Sequence, residues 1–286
     1  GEKYIVHPAF ETNLDNGGWD KDLSGMWVAK FEASGIGSNL KFIPGVASID
    51  NQSIGIQYTS ARQATYGYIG QKGEDGNTSF MNSHMMKNSE WGAVAYLTHS
   101  KYGKNGKEIQ MNAHTKYYTG GGYDEYSYIS NINQSTTGNT YGIYDLSGGA
   151  WETVSIFNSV DNNGYFEKNG WKEATNLTTE SESTRYATKY YNNTDFNWGN
   201  NRMYVYGKIG DATKEINMGG KDAKNTYYGR YENWFSDYTY IINAGAPFGI
   251  RGGYWGNGAP ATGIFAVNNS AALGGPGVSF RTVLND

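Results

Sequence analysis

The sequence predicts an α+β fold: two helices in the first third, then short antiparallel strands joined by long loops. Three observations lead there. Helical periodicity is confined to residues 59–69 and 88–103. The later segments are aromatic or β-branched and broken by glycine. Helical and strand-like segments also fail to alternate as a parallel βαβ chain requires.

The first strand is expected in MWVAKFEAS, residues 26–34. The first helix follows in TSARQATYGYI, where Ser60 and Gln63 stand at capping-box spacing before Ala64, Tyr68 and Ile69. NSEWGAVAYLTHSKYG gives the second, with Asn88 or Ser89 as N-cap, Trp91, Val94, Ala95 and Leu97 on one face, and a stop at Gly103. His99 falls near its C-terminal end, where a cation is favourable. Further strands are expected in YGIYDLSG (141–148), WETVSIFN (151–158), MYVYGKIG (203–210), FGIRGGYW (248–255) and VSFRTVL (278–284). Residues 158–243 are rich in Asn, Thr and Tyr without long periodicity, and read as a loop-rich insertion in a single domain spanning 1–286.

Composition excludes several functions. Charged residues make up 17% of the chain, against about 25% in an average domain. The net charge is −4 with no run of Lys or Arg, so neither nucleic acid nor an anionic membrane surface is an expected partner. No apolar run reaches the length of a membrane-spanning helix, and the opening GEKYIVHPAF reads as a trimmed start rather than a leader. Without cysteine there is no thiol nucleophile, disulfide or cysteine zinc site. His7, His84, His99 and His114 show no metal or catalytic spacing, and no G-x-S-x-G elbow occurs.

The C-terminal stretch FGIRGGYWGNGAPATGIFAVNNSAALGGPGVSFR is the sharpest anomaly. Between Arg251 and Arg281 it carries no charge, where the mean composition gives about five.

The segment YGIYDLSGGAWETV, residues 141–154, resembles the G-L-Y-D-M-S-G-N-V-W-E-W signature of the formylglycine-generating-enzyme-like group. GMWVAKFEAS, the two helices and RGGYW…GVSFR follow in the order of that group, so the resemblance covers most of the chain. It implies a variant of the C-type lectin fold. The oxidising activity of the group needs a cysteine pair that this chain lacks, and no enzyme activity is expected. Trp151 is expected to anchor the core, and Glu152 to pair with Arg251 or Arg281, or with backbone amides, in a structural role. Lectin-type folds often carry calcium, but NLDNGGWDKDLS (Asn13, Asp15, Gly18) has Ser24 where an EF-hand needs Glu, and DNNGYFEKNGWKE (Asp161, Asn163) fails at its glycine. Both read as Asx turns, and no cofactor is expected.

Within that group the chain resembles the variable proteins of diversity-generating retroelements, in which adenine-specific mutagenesis rewrites a C-terminal R-G-G-x-W…G-F-R region. Substitution at the adenines of an AAC codon cannot give Lys, Glu, Gln, Met or Trp. Between Gly252 and Phe280 that set appears only as Trp255, a framework position of the subgroup. The resemblance implies a variable, ligand-facing set of Tyr254, Gly256, Asn257, Ala259, Pro260, Ala261, Asn268, Ser270, Ala272 and Gly274. Trp151, Glu152, Arg251, Trp255, Ile264, Phe265, Val267, Phe280 and Arg281 would form the scaffold, and Tyr231, Trp234 and Tyr238 could add contact area. The expected partner is a protein or glycan on a cell surface, bound by a multivalently displayed protein on a phage tail, a pilus-like fibre or a bacterial surface. The alternative is a carbohydrate-binding adhesin or structural subunit of the same fold without diversification.

Overall fold

The computed structural model describes residues 5–64, 82–178, 181–190, 207–213, 215, 234–240, 242–257 and 262–285. It is a mixed α+β structure with two sheets. The expected helical residues 65–69, the strand at 203–206, Tyr231 and Ala259, Pro260 and Ala261 lie outside the described residues.

Strand β1 (Trp27–Val28) is shorter than the apolar run that predicts it. Helix α1 (Ile54–Gln63) starts six residues before the predicted cap, because Ile54, Tyr58 and Ala61 share the face that meets the core. Ser60 is therefore a mid-helix residue, and its hydroxyl accepts the Gly37 amide at 3.1 Å. Strand β2 (Asn82–Met85) has no apolar signal, and its pairing with a later strand forms it.

Helix α2 (Asn88–His99) begins one residue earlier than the Asn88 cap implies: Lys87 is the capping position, and the Glu90 carboxylate accepts its amide at 2.8 Å. Trp91, Val94 and Ala95 are buried, but Leu97 is 55% exposed. Six residues beyond Trp91, it has turned about 240° around the axis. The helix ends at His99, before Gly103. Gly92 permits the close approach of the 210–211 backbone, where a Cβ would meet the Gly210 oxygen at 2.0 Å.

Helix α3 (Ser127–Ser130) is a single turn. The predicted strand at 141–148 is irregular chain instead, with Asp145, Gly148 and Gly149 at positive φ. It delivers the backbone to β3 (Trp151–Asn158), which is buried along its whole length. Among the described residues of the stretch expected to be loop are helices α4 (Tyr165–Lys168) and α5 (Trp171–Thr175) and strand β4 (Thr188–Tyr190). Strands β5 (Phe248–Arg251), β6 (Val267–Ser270), β7 (Val278–Ser279) and β8 (Thr282–Asn285) complete the described fold.

Strand β8 lies between β1 and β2, antiparallel to both. The second sheet runs β4-β3-β5-β6, and β3 also pairs with β7. Its β3–β4 and β3–β7 pairs are parallel, so the sheet is mixed rather than purely antiparallel. VSFRTVL is two strands because the chain crosses between sheets at Phe280–Arg281. One apolar core takes Met86 and Val283 from around the first sheet, Val154, Ile156 and Val267 from the second, and Trp91, Val94 and Ala95 from α2. Another packs α1 and α5 on Phe157 and Phe248. No helix of the described residues is long and apolar enough to cross a membrane.

Candidate functional site

The two arginines that bracket the charge-free stretch are fully buried, and each is held differently. Arg281 donates through Nε to Glu152 Oε2 at 2.6 Å and through Nη2 to Glu152 Oε1, a bidentate pair. Its remaining donors reach the carbonyls of Ala29 at 3.0 Å and Tyr144 at 2.9 Å. Glu152 lies opposite Arg251 in the β3–β5 register, yet Arg281 is its ion-pair partner. Arg251 instead donates to Asn88 Oδ1 at 3.1 Å and to the carbonyls of Asp211 and Ala212. Asp211 accepts in turn from the Tyr190 hydroxyl and from Asn88 Nδ2 at 3.3 Å. The guanidinium thereby ties β5 to the start of α2.

Two more acids sit behind the Glu152–Arg281 pair. Burial pushes the Glu32 carboxyl well above its usual range, and the charges of Asp145 and Glu152 push it further. Asp145 is raised to about 6, chiefly by burial, against the hydrogen bonds of Gly120 and Asn112 and the charge of Arg281. Burial also raises Glu152, opposed by Arg281. Glu32 Oε1 accepts the Ala150 amide at 2.9 Å, and Oε2 contacts the Ser48 hydroxyl. These residues fix the turn that carries Gly148 and Gly149 into β3.

Above this buried layer the ligand-facing set divides. Tyr254 is half-buried, Gly256 and Asn257 are exposed, and Asn268 and Ser270 are half-buried on the edge strand β6. Asn268 stands opposite Ile250. Ile250 belongs to a small cluster with Trp151 and Ala266, on which Tyr238, Tyr254 and Val278 pack. Trp151 thus anchors the face under Tyr254. Gly256 leaves room for the Tyr254 ring, which a Cβ would meet at 3.0 Å.

Two expected contacts do not belong to the exposed set. Ala272 is buried in the core with α1, and its carbonyl accepts the Ile54 amide at 3.3 Å. Gly274 has φ +78°, and a Cβ there would lie 3.0 Å from the Asn51 backbone. Both positions are held by the loop that opens α1, so an apolar residue and a glycine are structural needs there. Of the scaffold set, Phe265 and Phe280 are fully buried, while Trp255 is half-buried with its amide donating to Gly149 O at 3.0 Å. Trp234 packs on Phe265 and Tyr96.

Two residues of this face carry no signal in the linear sequence. The Tyr117 ring lies 6.2 Å from Trp255, tilted by 34°. Its hydroxyl donates to Asp50 Oδ2 at 3.2 Å, and the Gly277 amide donates to the same oxygen at 3.3 Å. Asp50 and Tyr117 stand far from each other and from Trp255 in sequence, so only the tertiary structure joins them.

The histidines are committed elsewhere. His84 pairs with Glu90 at 2.9 Å, both fully buried. His99 packs against both Phe235 and Phe265, at 4.5 and 5.0 Å between ring centroids, and burial lowers its pKa, so it packs as a neutral ring and not as a helix-end cation. The Asx-rich segments form turns: Asn13 accepts the Asn16 amide, and Asp161 accepts those of Asn163 and Phe166. No group of three or more His, Cys, Asp or Glu among the described residues is arranged to hold a metal ion.

No protein-family model matches the chain, and no curated protein is similar to it.

Proposed function

We propose that this chain is a ligand-binding protein with a C-type-lectin-like fold, whose C-terminal face is diversified by a retroelement and displayed extracellularly, on a phage tail, a fibre or a bacterial surface. One observation carries the reading. Within one short stretch, Arg251, Phe265, Phe280 and Arg281 are fully buried, while Tyr254, Gly256, Asn257, Asn268 and Ser270 stand half or wholly in solvent. Such a division lets the outer positions change without disturbing the frame, as a substitutable binding face requires. Tyr and Trp supply rigid contact area at low entropic cost, and Ser, Gly and Asn adapt their hydrogen bonds.

The genome of origin provides the direct test. A reverse transcriptase gene and a near-copy of the segment encoding residues 248–281, differing chiefly at adenines, are the expected finding. Their absence removes diversification and leaves an adhesin of fixed specificity. The ligand face has its own test. A ligand selected by panning the wild-type protein loses binding on Asn257→Arg or Asn268→Arg if this face binds, and an unchanged affinity in both variants refutes the assignment.

A further inference from the structure

Five residues close a circuit of contacts on the proposed face. The Tyr254 ring lies over Gly277, where a Cβ would meet Cδ2 at 3.2 Å. Gly277 donates its amide to Asp50, Asp50 accepts the Tyr117 hydroxyl, Tyr117 tilts against Trp255, and Trp255 meets Tyr254 edge-on at 5.8 Å. All but the glycine are half-buried, neither sealed in the core nor free in solvent.

The chemistry of this circuit is unbalanced. Asp50 accepts hydrogen bonds from Gly277, Tyr117 and, at 2.7 Å, Asn51 Nδ2, but none of these donors is charged. No lysine, arginine or histidine among the described residues lies within ion-pair distance of it. An uncompensated, partly desolvated carboxylate attracts a cation, and the negative faces of the aromatic rings beside it add to that attraction. The described residues between Arg251 and Arg281 contribute no positive charge to compete.

We propose that this cluster is an anchor for one basic side chain, an arginine or a lysine, presented by a protein ligand. Asp50 takes the charge, and the rings of Tyr117, Trp255 and Tyr254 enclose the apolar stem and the face of the head group. Asp50, Tyr117 and Trp255 lie outside the residues proposed to vary, so these parts of the anchor are common to every variant, while Tyr254, Asn257 and Asn268 determine which ligand is accepted around them. The proposal rests on the reading of this face as the binding surface but not on its diversification.

The test is an NMR titration of the full chain with Nα-acetyl-arginine amide and, separately, its neutral isostere Nα-acetyl-citrulline amide, following the backbone amides of Tyr254, Trp255 and Gly277. Saturable shifts with the arginine compound, weakened by added salt and absent with citrulline, are expected. Asp50→Asn, which keeps the acceptor and removes the charge, should weaken the arginine titration at least about tenfold with the fold intact. Equal shifts with both compounds overturn the proposal, as does a folded Asp50→Asn protein that binds arginine unchanged. Shifts produced by neutral methyl glycosides, with none from arginine, also overturn it and assign the cluster to a glycan. The wild-type comparisons stand even if the variant fails to fold. A chain without a template that still discriminates arginine from citrulline keeps the anchor and loses only the diversification.

Discussion

Glu32 lies where the Ser48 hydroxyl has two acceptors and a single hydrogen. Ser48 Oγ is 2.7 Å from the Tyr117 carbonyl and also contacts Glu32 Oε2. If the serine gives its hydrogen to Tyr117, a protonated Glu32 can donate to Oγ, and this accords with the upward push that burial exerts on the carboxyl. A carboxyl raised in the folded state binds its proton more tightly there than in the unfolded chain. Its stabilisation is complete below the unfolded value, about 4.3 for Glu, and is lost as pH rises through the folded value. Asp145, raised to about 6, adds loss in the same direction between about pH 4 and that value. Glu32→Gln reproduces the protonated group, with Oε1 accepting from Ala150 and Nε2 donating to Ser48. Its melting temperature should match the wild type near pH 4.5 and fall less than the wild type toward pH 8, in steps of about one pH unit. A wild-type slope retained in the glutamine variant would show that Glu32 is ionised in the fold.

At the level of elements, the C-terminal strands and their connecting loop contain two kinds of position that look alike in sequence. Asn257→Arg and Asn268→Tyr place side chains in solvent or at the β6 edge, and should change stability by less than about 0.5 kcal/mol. Ala272→Asp puts a carboxyl into the α1 core, and Gly274→Val forces a β-branched residue to positive φ against the Asn51 backbone. Each should cost about 2 kcal/mol or more in chemical denaturation. Equal tolerance at all four positions would mean that the loop does not hold α1. The contrast marks what sequence reading could reach. Strands β3 and β5 were legible because their aromatic and β-branched residues are buried on a central sheet, and α2 because its apolar spacing is helical. Strand β2, with the polar sequence NSHM, exists only through β8, and the start of α1 is set by Ile54 meeting the core rather than by a cap. The Glu152 partner was legible as one of two arginines or backbone amides, by the need to satisfy a buried acid. Ala272 was misplaced because a small residue in a small-residue loop gives no sign of which side it faces. Asp50 and Tyr117 were invisible because contact across distant segments leaves no spacing.

For the molecule as a whole, the question is whether its two sheets fold as one unit. A shared core joins them through α2, and the Glu152–Arg281 pair connects β3 with the segment that enters β8. If that coupling governs stability, the slowest-exchanging amides of both sheets, such as those of Thr153 and Val283, should open only in global unfolding and report one free energy in native-state hydrogen exchange. Glu152→Ala leaves the Arg281 guanidinium buried without its counter-ion, at a cost of about 3–5 kcal/mol. Because the opening is shared, that loss should appear equally at Thr153 and Val283, although only Thr153 adjoins the substitution in sequence. A loss confined to the sheet of Thr153 would make the sheets separate cooperative units and remove the argument that the buried arginines hold one frame. A loss common to both would explain why the stretch between those arginines can shed every charge of its own: the two at its ends are paired or hydrogen-bonded to segments outside the stretch, Glu152 for Arg281 and Asn88 and the 211–212 backbone for Arg251.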